Sequence, residues 1–221
     1  MNIKVINGNI FNSQAQTLVN TVNCVGAMGK GLALEFRLRY PELYQKYVQL
    51  CEQNLMQIGK LWIYKADDHW ILNFPTKEHW RYNSKIEYLE KGLDKFMQSY
   101  QAKGIISIAF PLLGSRNGNI PPETSLHVMK TYLPKCQIPV EIYIDNQNQA
   151  DQYFLNFKKF LFNLRDDEIK KIWRTSAAKM QTFKETLSNP EIVSFSQLLS
   201  TKTIGIRAIE KALKMYQSGI N

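Results

Sequence analysis

Over the first two thirds of the chain, short apolar runs alternate with stretches of helical period. The runs at 4–6, 17–19, 61–64, 70–74, 105–110 and 140–144 are rich in Val, Ile, Leu and aromatic residues and read as strands, the fourth ending at Pro75. Between them, 30–39, 41–53, 84–102 and 122–132 read as helices. In 84–102 the residues Ile86, Leu89, Leu93, Phe96, Met97 and Tyr100 recur on one face at a period of 3.6. Strand and helix in alternation predict a three-layer α/β/α domain around a mixed sheet.

The pattern changes near residue 146. Beyond it no strand-like run stands out, and 147–164, 167–187, 190–199 and 203–217 read as helices, with Asn189-Pro190 as a boundary. The expected organisation is therefore an α/β domain over 1–146 and a helical C-terminal extension over 147–221. The last two helices, joined by Ser-Thr-Lys-Thr, fit either a helix-turn-helix or an ordinary helical hairpin.

Charge adds a constraint on partners. The 221 residues carry 28 Lys and Arg against 19 Asp and Glu, a formal charge of +9, which favours an anionic partner such as a nucleotide or nucleic acid. Residues 151–221 hold 12 of the basic and 7 of the acidic side chains, so the extension is the more densely basic part. A hydrophobic fraction of 44% excludes a mainly disordered chain. No apolar run approaches the ~20 residues of a membrane span, and the start lacks a signal-like apolar stretch, so the expectation is a cytoplasmic protein with no membrane partner. Cys24, Cys51 and Cys136 are odd in number and widely spaced, with no Cys-x-x-Cys pair. They suggest neither a disulfide framework nor a zinc ribbon.

Three segments carry candidate chemistry. The first, 20–33, leaves a strand and enters a helix. Its Gly26, Gly29 and Gly31 allow the backbone to approach a ligand closely, and the helix start offers unpaired N–H groups to an anion. Its spacing is neither that of a P-loop nor that of a Rossmann turn. By itself it fits a phosphate cradle and a plain glycine-rich turn about equally. The second, 112–122, also follows a strand and precedes a helix, with Gly114 and Gly118; alone it reads as a surface turn, but two such loops at the carboxyl ends of strands can hold a diphosphate from both sides. The third is Asn-Phe-Pro-Thr-Lys-Glu-His-Trp-Arg, 73–81. Lys77 and His79 read by default as solvated polar groups, and Trp80 and Trp70 as core or rim rings rather than stacking platforms. A lysine beside aromatic rings can also be partly desolvated, which frees its amine as nucleophile or base.

Taken together, Gly8-Asn9-Ile10, the Asn-Thr-Val-Asn loop with Val-Gly-Ala-Met-Gly-Lys-Gly, Phe-Pro-Thr-Lys-Glu-His-Trp and Gly-Ser-Arg-Asn-Gly resemble, in order and spacing, the macrodomains. The likeness covers roughly residues 1–145 and is nearest to the DNA ADP-ribosyl glycohydrolase branch, whose members act as antitoxins beside a DarT-like toxin. The resemblance implies an ADP-ribose pocket, with Asn9 and Ile10 at the adenine, Asn23 near the distal ribose and Asn20 also among the ADP-ribose-binding residues. Gly26, Ala27, Met28, Gly29 and Gly31 would lie on one side of the pyrophosphate, and Gly114, Ser115, Arg116, Asn117, Gly118 and Asn119 on the other. It makes Lys77 catalytic, assisted by Asn23, with no metal or cofactor. It also exposes a departure: Pro121 stands where the branch carries an Asp, and Arg116 where a small residue is usual. Removal of ADP-ribose from DNA is thus the first expectation. A non-catalytic ADP-ribose reader, or an ADP-ribose 1″-phosphate phosphatase, are the alternatives.

Overall fold

The computed structural model describes residues 2–145, 149–172 and 176–219, and the chain separates into two compact units, Met1–Asn146 and Gln147–Asn221. In the first unit the strands are β1 (Ile3–Gly8), β2 (Thr17–Asn23), β3 (Trp62–Lys65), β4 (Trp70–Lys77), β5 (Ile108–Pro111) and β6 (Val140–Asp145). They form one six-stranded sheet in the order β1-β6-β5-β2-β4-β3. All neighbours are parallel except β3, which runs antiparallel to β4 at the edge. The helices are α1 (Gly31–Arg39), α2 (Pro41–Glu52), α3 (Ile86–Ser99) and α4 (Pro122–Tyr132).

Side-chain alternation sends each strand's residues to two cores. Leu18, Val22 and Ile71 pack with Phe36, Leu43 and Tyr47 of α1 and α2. Val19, Leu72 and Phe74 pack with Leu89, Leu93, Phe96 and Met129 of α3 and α4 on the other face. Gly92 is required here, because a Cβ at that position would run into the Phe74 ring. The result is a three-layer α/β/α domain with a mixed sheet, with further helices C-terminal to it.

Two expected boundaries move. β4 does not end at Pro75 but continues to Lys77. Proline lacks an N–H, and the ladder absorbs this through a register shift: Val22 pairs with Pro75, but the next residue, Asn23, pairs with Lys77. Asn20 to Asn23 accordingly belong to strand β2 rather than to a loop. β5 begins at Ile108, three residues later than the apolar run suggests, and Ile106 is exposed.

The second unit is helical: α5 (Gln152–Asn163), α6 (Asp166–Ile172), α7 (Ala177–Ser188), α8 (Phe195–Ser200) and α9 (Ile206–Ser218). Side chains of Asp151, Ser176 and Ser194 cap α5, α7 and α8. The single helix expected over 167–187 is two, because Ser176 starts a new one; residues 173–175 lie outside the described residues, as do 147 and 148 of the expected 147–164. The helix expected from 190 begins only at Phe195, after the Ser194 cap, and α7 stops before Asn189-Pro190 as the proline dictates. Phe154, Phe157, Phe183, Phe195 and Leu213 are buried in this unit, whereas Arg207, Lys211 and Lys214 line the exposed side of α9. No helix among the described residues is long and apolar enough to cross a membrane.

Candidate active site

The carboxyl ends of β1, β6, β5, β2 and β4 share one edge of the sheet, because these strands are parallel. From its end β2 leads to α1, on one face of the sheet; its neighbour β5 leads to α4, on the other. Adjacent strands whose connections leave in opposite directions open a crevice between them, and ligands of α/β sheets bind at such points. Asn9 at the end of β1 and Lys77 at the end of β4 stand four strand spacings apart, roughly 19 Å. The crevice thus suits an extended, two-ended ligand.

The loop after β2 is shaped from below. Asn23 is buried; its amide nitrogen donates to the Ala27 carbonyl at 2.6 Å, and its Oδ1 accepts from the backbone N–H of Val25 at 3.0 Å and of Ala27 at 3.3 Å. The Tyr47 hydroxyl, from α2, lies 2.7 Å from the Asn23 carbonyl and 3.1 Å from its Oδ1. Burial pushes this phenol's pKa up, so it remains a donor. Met28 seats its side chain in the core, so only its backbone can meet a ligand. Gly26 has φ +78°, a left-handed conformation that favours glycine, whereas Gly29 faces open space. Lys30 stands at the N-cap of α1 without a side-chain capping bond, and the first turn holds no acidic residue, so the helix start presents its N–H groups to an anion.

The loop after β5 is held from the side. Arg116 (φ 50°) and Asn119 (φ 61°) both adopt left-handed conformations, uncommon outside glycine. The Ser84 N–H donates to the Gly118 carbonyl at 2.9 Å, and the Asn119 amide donates to Asn83 Oδ1 at 2.7 Å. A Cβ on Gly118 would collide with Ser84 Oγ, and one on Gly31 would sit 2.6 Å from the Asn117 amide nitrogen, so the two loops meet across the crevice at Gly31 and Asn117. Arg116, Asn117 and Asn119 are exposed, and Ser115 is half-buried. Pro121 stands at the start of α4, where its carbonyl accepts from the Ser125 N–H at 3.0 Å.

Lys77 joins the two sides. It lies opposite Asn23 in the β2–β4 ladder, and its amine donates to the Asn117 carbonyl and, at 3.5 Å, to that of Trp80. Desolvation by the surrounding protein lowers its pKa from 10.5. Cys24, beside it, is a poor nucleophile: burial raises its thiol to about 11. Among the described residues no cluster of three or more His, Cys, Asp or Glu can hold a metal ion.

Of the expected site residues, Asn9, Asn23, Lys77 and the two glycine loops all lie along this edge. Asn9 Oδ1 also caps the turn Ile10–Asn12, accepting from the Phe11 N–H at 3.0 Å, and Ile10 is buried behind it. Asn20 is a correction. It is fully buried, mid-strand, and its amide donates to Asn73 Oδ1 at 3.0 Å, so it ties β2 to β4 and cannot touch a ligand in the crevice. Asn23 spends its side chain largely on the loop and on the Tyr47 hydroxyl. Tyr47 lies outside every motif of the sequence. Its signal was available: it shares the apolar stripe Leu43, Tyr47, Cys51 of α2, where a phenol needs a buried partner.

The Macro domain family model matches residues 19–129, half of the chain. A DNA ADP-ribosyl glycohydrolase of Thermus aquaticus is 39% identical over 151 residues, covering 66% of this chain and 42% of its own length. The solved macrodomain of Thermus aquaticus DarG superposes with a TM-score of 0.60 at 38% identity, covering 65% of this chain and 97% of that one. Thermosipho africanus DarTG, solved in complex with ADP-ribose, gives a TM-score of 0.63 at 33% identity, covering 68% of this chain and 43% of that one. The chain spans less than half the length of the curated glycohydrolases it matches. The crevice, its two glycine loops and these likenesses together place the chain in the Macro domain family.

Proposed function

We propose that the unit 1–146 binds ADP-ribose along the sheet edge and that the chain removes ADP-ribose from modified DNA, with Lys77 as the reacting group. One observation carries the reading: a partly desolvated amine stands at the end of β4, between the two loops suited to a pyrophosphate. The glycohydrolase and the DarTG complex among its relatives support the choice of substrate. A DarT-like transferase is the matching partner and the cytoplasm the fitting location; the extension 147–221 is not needed for sugar binding.

The chemistry follows from the anomeric carbon of the distal ribose, which gains oxocarbenium character as its bond to the base breaks. The unprotonated Lys77 amine attacks that carbon, and the base leaves with the bonding electrons and takes up, through solvent, the proton that the new secondary ammonium sheds. Water then releases the sugar from the lysine. The carbonyls of Asn117 and Trp80 orient the amine, and Tyr47 and Asn23 keep the first loop in position. Pro121 stands in place of the branch's Asp, which would assist the second step, so release is slow and a lysine–ribose adduct accumulates, visible by mass spectrometry.

The test is incubation with ADP-ribosylated single-stranded DNA and analysis of products. The wild type, and a chain ending at residue 146, should liberate ADP-ribose. Lys77→Ala should lower turnover at least a thousand-fold, roughly 4 kcal/mol of transition-state stabilisation, with ADP-ribose affinity changed no more than a few-fold. A wild type that binds ADP-ribose and never cleaves the DNA would leave the reader, the function that Pro121 favours.

A further inference from the structure

Between β4 and α3 the chain makes a tight turn that presents its aromatic rings to solvent. Trp80 is 51% exposed and Tyr82 64%, whereas the other described Phe, Tyr and Trp rings of this unit are buried or half-buried. The rings form one surface: His79 lies 5.3 Å from Trp80, with planes inclined by 29°, and 5.3 Å from Tyr82. The turn is fixed by its own backbone, with the Tyr82 N–H donating to the His79 carbonyl at 3.1 Å and the Arg81 N–H to His79 Nδ1 at 3.2 Å. The surface is therefore preorganised. Packing does not explain it, since rings that serve the core are buried.

We infer that His79, Trp80 and Tyr82 form a stacking platform for unpaired nucleobases of the strand that carries the ADP-ribose. The inference rests on the reading of the site given above. Position is the first argument. The Trp80 carbonyl accepts from the Lys77 amine, so the platform begins one hydrogen bond from the reacting group. The nucleotide end of the ligand lies towards Asn9, and the group bonded to the anomeric carbon must leave Lys77 on another side. The turn 78–82 borders the amine there. Chemistry is the second argument. Every base offers a π face, and stacking on aromatic side chains holds single strands without selecting sequence. The Arg81 guanidinium, exposed and 4.7 Å over the Trp80 ring, holds that face by a cation–π contact; swinging off it admits a base and frees the guanidinium to meet a strand phosphate. Glu78 is exposed on the same turn, and Lys85 lies 3.7 Å from Glu87, so the local charge balance is modest and the rings dominate the surface. A duplex keeps its bases stacked on one another and offers no face to such a platform.

The test compares two ligands on the full chain carrying Lys77→Ala, which halts turnover. Affinities are measured for free ADP-ribose by calorimetry and for a fluorescent, ADP-ribosylated single-stranded oligonucleotide by anisotropy. The oligonucleotide should bind at least about ten-fold more tightly than ADP-ribose. Trp80→Ala and Tyr82→Ala should each weaken the oligonucleotide about five- to a hundred-fold, leaving ADP-ribose within two-fold and the melting temperature unchanged. Trp80→Phe should recover most of the loss. Equal affinity for the two ligands, or an equal loss of both in Trp80→Ala, overturns the platform. The two readings fail separately: a wild type that needs Trp80 to bind the oligonucleotide but never releases ADP-ribose refutes the enzyme and upholds the platform.

Discussion

The two loops of the crevice are built by opposite means. The loop after β2 is anchored to buried groups: the Asn23 amide, the Tyr47 hydroxyl and the Met28 side chain. The loop after β5 seats Leu113 and Ile120 in the core, but its tip, 115–119, hangs on polar bonds to Ser84, Asn83 and Lys77 and contains two non-glycine residues in left-handed conformations. The first is a floor whose shape is set by folding. The second is a wall held by the same segment, 77–84, that carries Lys77. The proposed function divides binding from chemistry along this line: the floor would set where the pyrophosphate lies, and the wall where the amine points.

The sharpest way to break this division is on the floor. Gly29→Glu puts a carboxylate where the structure has open space, so the fold should survive with its melting temperature intact. ADP-ribose affinity should nonetheless fall more than about a hundred-fold, because the new charge and bulk meet the pyrophosphate. Calorimetry and a thermal melt on the same sample read both effects.

Tyr47→Phe should cost about 1–3 kcal/mol in denaturant unfolding, since the buried Asn23 carbonyl loses its partner. It should also weaken ADP-ribose several-fold by loosening the floor. A smaller effect of opposite sign belongs to the wall. Arg116→Gly relieves a positive φ at the cost of extra freedom in the unfolded chain, for a net gain of about 1 kcal/mol or less. If Arg116→Gly instead destabilises by as much as Tyr47→Phe, the contrast between floor and wall is lost.

Much of this was legible in the residues. Each of the six strands announces itself as an apolar run, and the two glycine loops fall after β2 and β5 as their composition suggests. The misreadings have local causes. Pro75 looks like a strand terminus because it cannot donate, but a register shift beside Asn23 lets the ladder pass it and carries Lys77 to the site. Asn20 looks like a loop residue because it is polar, and only its pairing with Asn73 across the sheet makes it structural. Trp80 reads as core or rim, and only the turn decides between them: it puts the ring at the rim through hydrogen bonds that no periodicity reveals. The helix start at Ser176 is hidden for a similar reason, since a capping serine inside a helical pattern resembles any exposed polar position.

The central claim is that Lys77 acts as a free amine, and the pH dependence of kcat/KM on ADP-ribosylated DNA tests it most directly. Burial disfavours the ammonium form, so the folded protein holds this proton less tightly than the unfolded chain does. Between the lowered pKa and 10.5 this group's contribution to stability therefore rises with pH, and the reactive fraction rises up to that pKa. The account predicts a rate that climbs with pH to a plateau, with an apparent pKa below 10.5, and residual activity in Lys77→Gln without that inflection. A flat profile in the wild type, or the same inflection in Lys77→Gln, would contradict it.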